Sequence, residues 1–408
     1  MPGQRIYVVN SVSLIPTLQR QIKTIAFAPV EAQAAATVMG VGPAGNAIIG
    51  SDQMLEDGSY LSTFVPSIQP AMAPGAGLDA INSAAIRYIT DSLGALAAKG
   101  PASVELFSWV RRELFMATTD LHARERLLIP AFEKYFAANG HHEGSLLVQC
   151  RYNHNTGHGL RGRDVAATEI GQMVASLTNS VASAFWMVYH IFSDPVVLND
   201  CRKEVEQLVE VDKDGVSTVD LAKVKSSCPV LLSTWQEMLR YSHIGIAARV
   251  VMSDTMFADQ YLLKKGATVM TVTPVQHTEA SLWGPDVNEF DHRRFLREPG
   301  RKRTNPVAFR AFGWGTVLCP GRHFVSTEVM SFAALLLLRF DLKPATRDGK
   351  WTEPRKDIPM TSSMPTPKDE VPVQIVSRGD LGHKWRFHFS ASRKGVNTMA
   401  EDAKVILE

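Results

Sequence analysis

The chain has 408 residues, 45% of them hydrophobic, and a formal net charge of +2. This length allows one large hydrophobic core or two domains. The small net charge, without a basic stripe or an alternation of basic and aromatic residues, argues against a nucleic-acid partner. The cysteines show neither paired metal spacing nor a dense disulfide framework, which indicates a reducing, intracellular compartment. They are Cys150, Cys201, Cys228 and Cys319.

The first predicted element is a short strand near the N-terminus. Met1-Pro2-Gly3 is typical of a turn, and the largely β-branched run from Ile6 to Val9 follows it. No signal peptide or apolar anchor precedes this strand, so we expect no membrane anchor within this chain. The apolar spacing after it predicts helices over roughly residues 76 to 240.

A long uncharged stretch follows, from Met173 to Phe192. Its length raises the possibility of a transmembrane helix. Polar side chains such as Asn179, Ser180 and His190 interrupt the stretch, and a long buried helix therefore fits better. Asn179 and Ser180 are adjacent, and they either act chemically or only form hydrogen bonds within a helix groove.

Charged residues at a defined spacing come next. Glu237 and Arg240 are three positions apart, so they share one face of a predicted helix and can pair. The alternative is an ordinary solvated surface pair. Arg294 lies in His292-Arg293-Arg294-Phe295, after a Trp-Gly-Pro-Asp turn.

The most informative segment runs from Phe312 to Phe324 and contains Cys319 in a glycine-flanked turn before an apolar helix. Backbone N–H groups at such a helix start stabilise a thiolate and lower its pKa. Gly315 and Gly321 allow the backbone to approach a flat macrocycle. The pattern predicts a thiolate ligand for haem iron, and the alternative is a buried structural cysteine.

The predicted C-terminal elements are a helix and a hairpin. Residues 322–340 are strongly apolar and form the helix, whereas alternation over 371–376 and 385–389 predicts a closing hairpin. Residues 1–390 are then one domain, with its core motifs between 165 and 340. Residues 391–408 form a polar, mobile tail.

The segment Phe-x-x-Gly-x-x-x-Cys-x-Gly resembles the haem-binding loop of the cytochrome P450 family, and Cys-Pro-Gly-Arg is similar to the branch with steroid 7α-hydroxylases and prostacyclin synthase. Glu237 precedes Cys319 by 82 residues, a separation similar to that of the family. The resemblance implies a mainly α fold with a small β part, a triangular helical prism with haem between distal and proximal helices. It makes Cys319 the axial iron ligand, with Phe312, Gly315 and Gly321 around the cofactor.

The same resemblance assigns roles to the other motifs. Glu237, Arg240 and Arg294 form a buried charge triad, with His292 in place of the family's proline. Many members carry Arg or His two residues before the cysteine as a partner of a haem propionate, whereas this chain has Val317, so the propionate partners stay open.

The distal helix and the substrate pocket are assigned in the same way. Most members have an acid followed by Thr where this chain has Asn179-Ser180, and these residues would organise water and protons during oxygen activation. The loop Ser363 to Pro367 would line the substrate pocket, and the stretch Thr119 to Arg126 is short where relatives have lid helices. The other residues expected in the pocket are His243, Ile244, Gly245, Ile246 and Ala247.

The resemblance implies a haem-thiolate monooxygenase of the type found in fungal secondary metabolism, apparently shortened at its N-terminus. It would contain haem b (iron protoporphyrin IX) and insert one oxygen atom from dioxygen into a terpenoid, steroid or polyketide. Electrons would come from NADPH through a separate NADPH–cytochrome P450 reductase, since the sequence has no dinucleotide-binding fingerprint. The family places such enzymes on the cytoplasmic side of the endoplasmic reticulum. The alternatives are a haem-thiolate isomerase or dehydratase acting on a peroxide, and a catalytically silent haem-binding protein.

Overall fold

The computed structural model describes residues 5–114, 127–297, 306–359, 362–379 and 383–391. Helices dominate the described residues, as expected. They are α1 (Ile15–Arg20), α2 (Ala28–Ala34), α3 (Pro43–Ile49), α4 (Tyr60–Met72), α5 (Ala76–Ala98), α6 (Leu106–Leu114), α7 (Ile129–Ala137), α8 (Leu146–Gly157), α9 (Gly162–Ser193), α10 (Pro195–Glu206), α11 (Val224–Ser227), α12 (Pro229–Ser242), α13 (Thr273–His277), α14 (Ala280–Trp283) and α15 (Arg322–Arg339).

Short strands form small sheets at the periphery of the helices. The strands are β1 (Ile6–Val8), β2 (Ile25–Ala26), β3 (Ala102–Glu105), β4 (Glu210–Val211), β5 (Ser217–Asp220), β6 (Ile246–Val251), β7 (Thr255–Phe257), β8 (Tyr261–Leu263), β9 (Thr268–Val272), β10 (Phe340–Pro344), β11 (Lys356–Asp357), β12 (Thr366–Pro367), β13 (Pro372–Ser377) and β14 (Trp385–His388). The strand orders are β1-β9-β6-β2, β10-β13-β3 and β14-β5-β4, with the pairs β11-β12 and β7-β8.

The core is built around the long helix α9, whose second half is almost wholly buried. It packs against α6, α10, α12 and α15. Helix α15 is buried on all sides from Ser326 to Leu338, and its part from Phe332 to Leu338 is apolar around the whole circumference. Burying each large side chain here contributes about 1.5–3 kcal/mol. The two helices expected to enclose a cofactor are therefore both central.

Local sequence signals explain where these helices begin and end. Pro195 cannot continue α9, and Asp194 accepts hydrogen bonds from the N–H groups of Val196 and Val197, so a new helix begins at once. Pro229 occupies the first turn of α12, and Glu204 of α10 accepts from the next two N–H groups. These caps fix the start of the helix that carries Glu237.

The predicted closing hairpin is wrong. Strand β13 pairs with β10 and β3, whereas β14 pairs with β5 in parallel, Trp385 opposite Ser217. Alternation identified both strands correctly, but the choice of partner depends on packing: Trp385 and Phe387 stack on each other, with ring centroids 5.3 Å apart, and pack against the main core. Local patterning carries no information about that partner.

Within the described part of the chain, no single helix is long and apolar enough to cross a membrane. Helices α9 and α10 meet the criterion only as a pair, bent by 105°. The short stretch Thr119 to Arg126 and the tail from residue 392 onward lie outside the described residues.

Candidate functional site

The turn around Cys319 requires glycine at two positions. Gly313 and Gly315 have φ of +85° and +57°, a region that L side chains rarely adopt. A Cβ on Gly313 would also lie 2.8 Å from the carbonyl oxygen of Val317. The N–H of Cys319 donates to the carbonyl of Phe312 over 2.8 Å and closes the turn directly before α15.

The electrostatic environment of the Cys319 thiol contains opposing influences. Burial raises its pKa above the ordinary value, whereas the N–H groups of Gly321 and Arg322 and the Arg322 guanidinium lower it. Gly321 has an ordinary φ of −80°, and a Cβ there would lie 3.8 Å from the Cys319 Sγ. The backbone therefore presents donors to a sulfur that a bound cation would deprotonate.

The structure brings Glu237, Arg240 and Arg294 together in the interior. Arg240 Nε and Nη2 each lie 2.7 Å from a Glu237 carboxylate oxygen, which is a bidentate pair. Arg294 Nε donates to Glu237 Oε1 over 3.1 Å. Glu237 has no solvent exposure. This buried, bidentate geometry excludes the alternative that Glu237 and Arg240 form an ordinary solvated surface pair.

The triad also ties separate segments together. Arg240 Nη1 donates to the carbonyl of His277, and Arg294 Nη1 donates to that of Trp283. Burial acts to lower the pKa of Arg294, but Asp286 and Glu237 together raise it above its usual value. Every charge in the triad thus has a partner. The cluster links α12 to the irregular segment 284–297, which we call the meander.

Asn179 and Ser180 lie on α9, and both oxygens have backbone partners. Asn179 Oδ1 accepts from the N–H groups of Ser363 and Met364, at 2.8 and 3.2 Å. Ser180 Oγ donates to the carbonyl of Ser176, one turn earlier in the helix, over 2.6 Å. Their role in a water relay stays a prediction.

The expected pocket residues follow α12 and enter β6. The N–H of Ile244 donates to the carbonyl of Ser363 over 2.8 Å, so the two segments expected to line the pocket are joined. His243 is buried, and burial, with a smaller effect of Arg310, lowers its pKa to about 4. Gly245 permits the close approach, since a Cβ there would lie 2.5 Å from His243 Nε2. Ile246 and Ala247 begin β6, paired with Val272 and Thr271.

Two buried arginines beside the cysteine turn were missed by the sequence analysis. Arg249 and Arg310 are 3% and 2% exposed, and their guanidinium carbons lie 4.2 and 5.9 Å from the centre of the Trp314 ring. Burial lowers the pKa of each to about 10. Two features of the sequence could have indicated them: Arg249 is a charge inside an apolar strand, and Arg310 is a charge two residues before Phe312.

These arginines provide the test of whether a haem fits. Nε and both Nη atoms of Arg310, and Nη2 of Arg249, are buried without a hydrogen-bond partner among the described residues. Two buried cations at one indole ring are costly unless anions neutralise them. The two propionates of a haem are carboxylates of the required charge, and Cys319, in the same loop as Trp314, could supply the thiolate. The donor set fits haem.

Comparisons with known proteins point to one family. The family model described as Cytochrome P450 matches residues 133–373. The chain is 30% identical to "Cytochrome P450 monooxygenase nodJ" of Hypoxylon pulicicidum, over 95% of this chain and 84% of that protein. It is 27% identical to 25-hydroxycholesterol 7-alpha-hydroxylase of Rattus norvegicus, over 44% of this chain and 47% of that protein.

A solved structure shows the same fold. The haem domain of cytochrome P450DA superposes with a TM-score of 0.70 at 16% identity, covering 93% of this chain and 88% of that one. The expected mainly α architecture with a small β part is confirmed.

Proposed function

Because this chain belongs to the cytochrome P450 family, we propose that it is a haem-thiolate monooxygenase whose substrate is a terpenoid, steroid or polyketide of secondary metabolism. The single observation that carries the haem assignment is the Cys319 turn beside two buried guanidinium groups with unpaired nitrogens. Among the described residues the Arg310 guanidinium has no hydrogen-bond partner, and Arg249 donates from Nη1 to the carbonyl of Ile25 but leaves Nη2 without one. A steroid substrate is supported by the name of one relative, 25-hydroxycholesterol 7-alpha-hydroxylase. A lipophilic substrate in general is supported by the apolar residues near Ser363.

When bound, haem supplies the activation of dioxygen that a monooxygenase requires. The residues of this chain bind and orient it. Cys319 provides the thiolate ligand, with the N–H groups of Gly321 and Arg322 directed at its sulfur. Arg249 and Arg310 would hold the two propionate carboxylates and thereby orient the cofactor. Burial of both guanidinium groups excludes water and would strengthen these interactions.

The electron supply and location belong to the same proposal. NADPH–cytochrome P450 reductase would deliver the electrons, as membership of the family implies. The cytoplasmic side of the endoplasmic reticulum is the location that brings enzyme, reductase and lipophilic substrate together. Fractionation of the expressing cells, with detection of the protein and of reductase activity in each fraction, tests this part.

The test of the function has two stages. The purified protein is first reduced and exposed to carbon monoxide, and a red-shifted Soret band reports thiolate ligation. It is then supplied with a partner reductase, NADPH, ¹⁸O-labelled dioxygen and 25-hydroxycholesterol, a steroid probe. One ¹⁸O atom per product molecule supports the proposal. A protein without the red-shifted band would overturn the haem-thiolate assignment.

One observation favours a second candidate, an isomerase or dehydratase that rearranges a peroxide substrate. Both Asn179 and Ser180 oxygens are engaged by backbone groups, and neither residue is an acid. A reaction that starts from an existing O–O bond requires no proton relay to dioxygen. Product from a fatty-acid endoperoxide without any reductase would favour this candidate over the monooxygenase.

A further inference from the structure

The short segment from Ser362 to Pro365 is held in place by two different elements. Asn179 of α9 accepts hydrogen bonds from two of its backbone N–H groups, and Trp186 of α9 donates to the carbonyl of Pro365 over 2.8 Å. From the other side, the N–H of Ile244 donates to the carbonyl of Ser363. We name residues 362–365 the clamped loop.

The orientation of the Asn179 amide follows from its partners. Both groups that face it are backbone N–H donors, so the facing atom must be the carbonyl oxygen. This single oxygen binds Ser363 and Met364, which lie 184 and 185 positions after Asn179 in the sequence. It satisfies two N–H groups that no strand pairing covers, since β12 begins only at Thr366.

Trp186 forms the second attachment on the same helix. It lies seven residues after Asn179, so both side chains are on one face of α9, two turns apart. The indole is fully buried, and Lys356 Nζ lies 5.0 Å from its ring centre. The helix therefore holds the clamped loop at two points rather than through one adaptable side chain.

The opposite side of the clamped loop meets the segment after α12. A Cβ on Gly245 would lie 2.9 Å from Ser363 Oγ, so glycine at this position leaves room for the Ser363 side chain. A shift of the loop would thus alter both segments. Its position depends on α9, the helix expected over the distal face of the haem.

We propose that Asn179 is a positioning residue that fixes the clamped loop against α9 and so sets the wall of the substrate pocket and the regioselectivity of oxidation. This inference rests on the proposed function, because it requires the loop to face the haem cavity. Most members of the family have an acid at this position. In this chain the Asn179 oxygen instead accepts hydrogen bonds from two backbone N–H groups of the clamped loop.

Three variants separate this role from a water relay. Asn179→Leu removes the acceptor at similar size, whereas Asn179→Asp keeps an oxygen that accepts both N–H groups. Thr178→Ala is the matched control, because Thr178 Oγ1 bonds only to the carbonyl of Val174 in its own helix. Hydrogen exchange is read by mass spectrometry on a peptide that begins at or before residue 361 and ends at residue 368. Such a peptide reports both amides, because only its first two residues lose their label.

We expect exchange of these amides to accelerate about tenfold in Asn179→Leu and to stay unchanged in Asn179→Asp and Thr178→Ala. Binding of two iron ligands, imidazole and clotrimazole, is then titrated optically. The small ligand should bind all variants alike, whereas the affinity of Asn179→Leu for bulky clotrimazole should change several-fold.

The outcomes distinguish the two proposals. Unchanged exchange in Asn179→Leu would overturn the positioning role, whatever the haem does. Accelerated exchange with unchanged clotrimazole affinity would overturn the assignment of the loop to the pocket wall. A parent protein in which imidazole produces no thiolate-type red shift would instead overturn the haem-thiolate function itself.

Discussion

At Cys319, burial and the neighbouring N–H groups act on the thiol pKa in opposite directions. Without a cation, burial prevails and the thiol stays protonated. Coordination to iron would reverse this balance, because a coordinating thiol is deprotonated. The turn is therefore suited to a metal-bound sulfur, because its N–H donors stabilise the negative charge that the sulfur would carry as a ligand.

We expect Cys319→Ala to lose the red-shifted carbon monoxide band and monooxygenase activity together, because the variant lacks the proximal sulfur. The matched control is Cys150→Ala, a half-buried thiol on α8. Optical spectra of the reduced, carbon monoxide-treated proteins check this. Retention of the thiolate band by Cys319→Ala would contradict the ligand assignment.

A second prediction at the residue scale concerns Arg310, which we expect to bind a haem propionate. Arg310→Leu removes the orphaned guanidinium, and we expect haem to dissociate at least tenfold faster, as measured by transfer to apomyoglobin. The same change should leave the haem-free protein as stable or more stable, because it removes a buried unpaired charge. A purely structural arginine would show the opposite: loss of haem-free stability and unchanged haem transfer.

At the scale of elements, the triad joins α12 to the meander, and Glu237 is the group both arginines share. Truncation of Glu237 leaves the buried Arg240 without its carboxylate partner and leaves Arg294 with Asp286 alone. Because removing one partner of a buried pair costs about 3–5 kcal/mol, a large fraction of the stability of a domain, the effect concerns folding rather than chemistry.

We expect Glu237→Ala to give aggregated or haem-free protein. Glu206→Ala is the control, since its pair with Arg378 is partly exposed to solvent and contributes little. Soluble yield and the ratio of haem to protein absorbance measure the effect. A soluble, haem-loaded Glu237→Ala that lacks only turnover would place this carboxylate at the chemistry.

At the scale of the whole molecule, stability depends on pH through buried histidines. Burial lowers the pKa of His190 to about 3 and that of His277 well below its ordinary value. In the unfolded chain both titrate near pH 6.5. Below that pH the unfolded state binds more protons than the native state, so the free energy of unfolding falls as pH falls.

This contribution is fully present above about pH 6.5 and decreases by about 1.4 kcal/mol per pH unit for each such histidine until its folded pKa is reached. We expect His190→Phe, which keeps the stacking on Phe290 at 4.1 Å, to reduce the stability difference between pH 7.5 and pH 5. Urea unfolding of parent and variant at both pH values measures this. Equal differences in the two proteins would contradict a neutral, buried His190.

The sequence by itself predicted the features that depend on neighbouring residues. The glycine pattern around Cys319, the three-residue spacing of Glu237 and Arg240 and the alternation of β14 are all local, because backbone conformation and helix periodicity act over a few residues. Membership of the family, the mainly α fold and the haem ligand could be inferred from these features and their spacing.

Only the tertiary structure decided which distant groups meet. Arg249 and Arg310 converge on Trp314, Asn179 binds a loop 184 residues away, and β14 pairs with β5 rather than β13. Each of these contacts depends on how buried surfaces pack, and side-chain spacing along the chain does not encode that packing. The arginines expected to bind the haem propionates therefore come together only after the helices have assembled. The same holds for the position of the clamped loop.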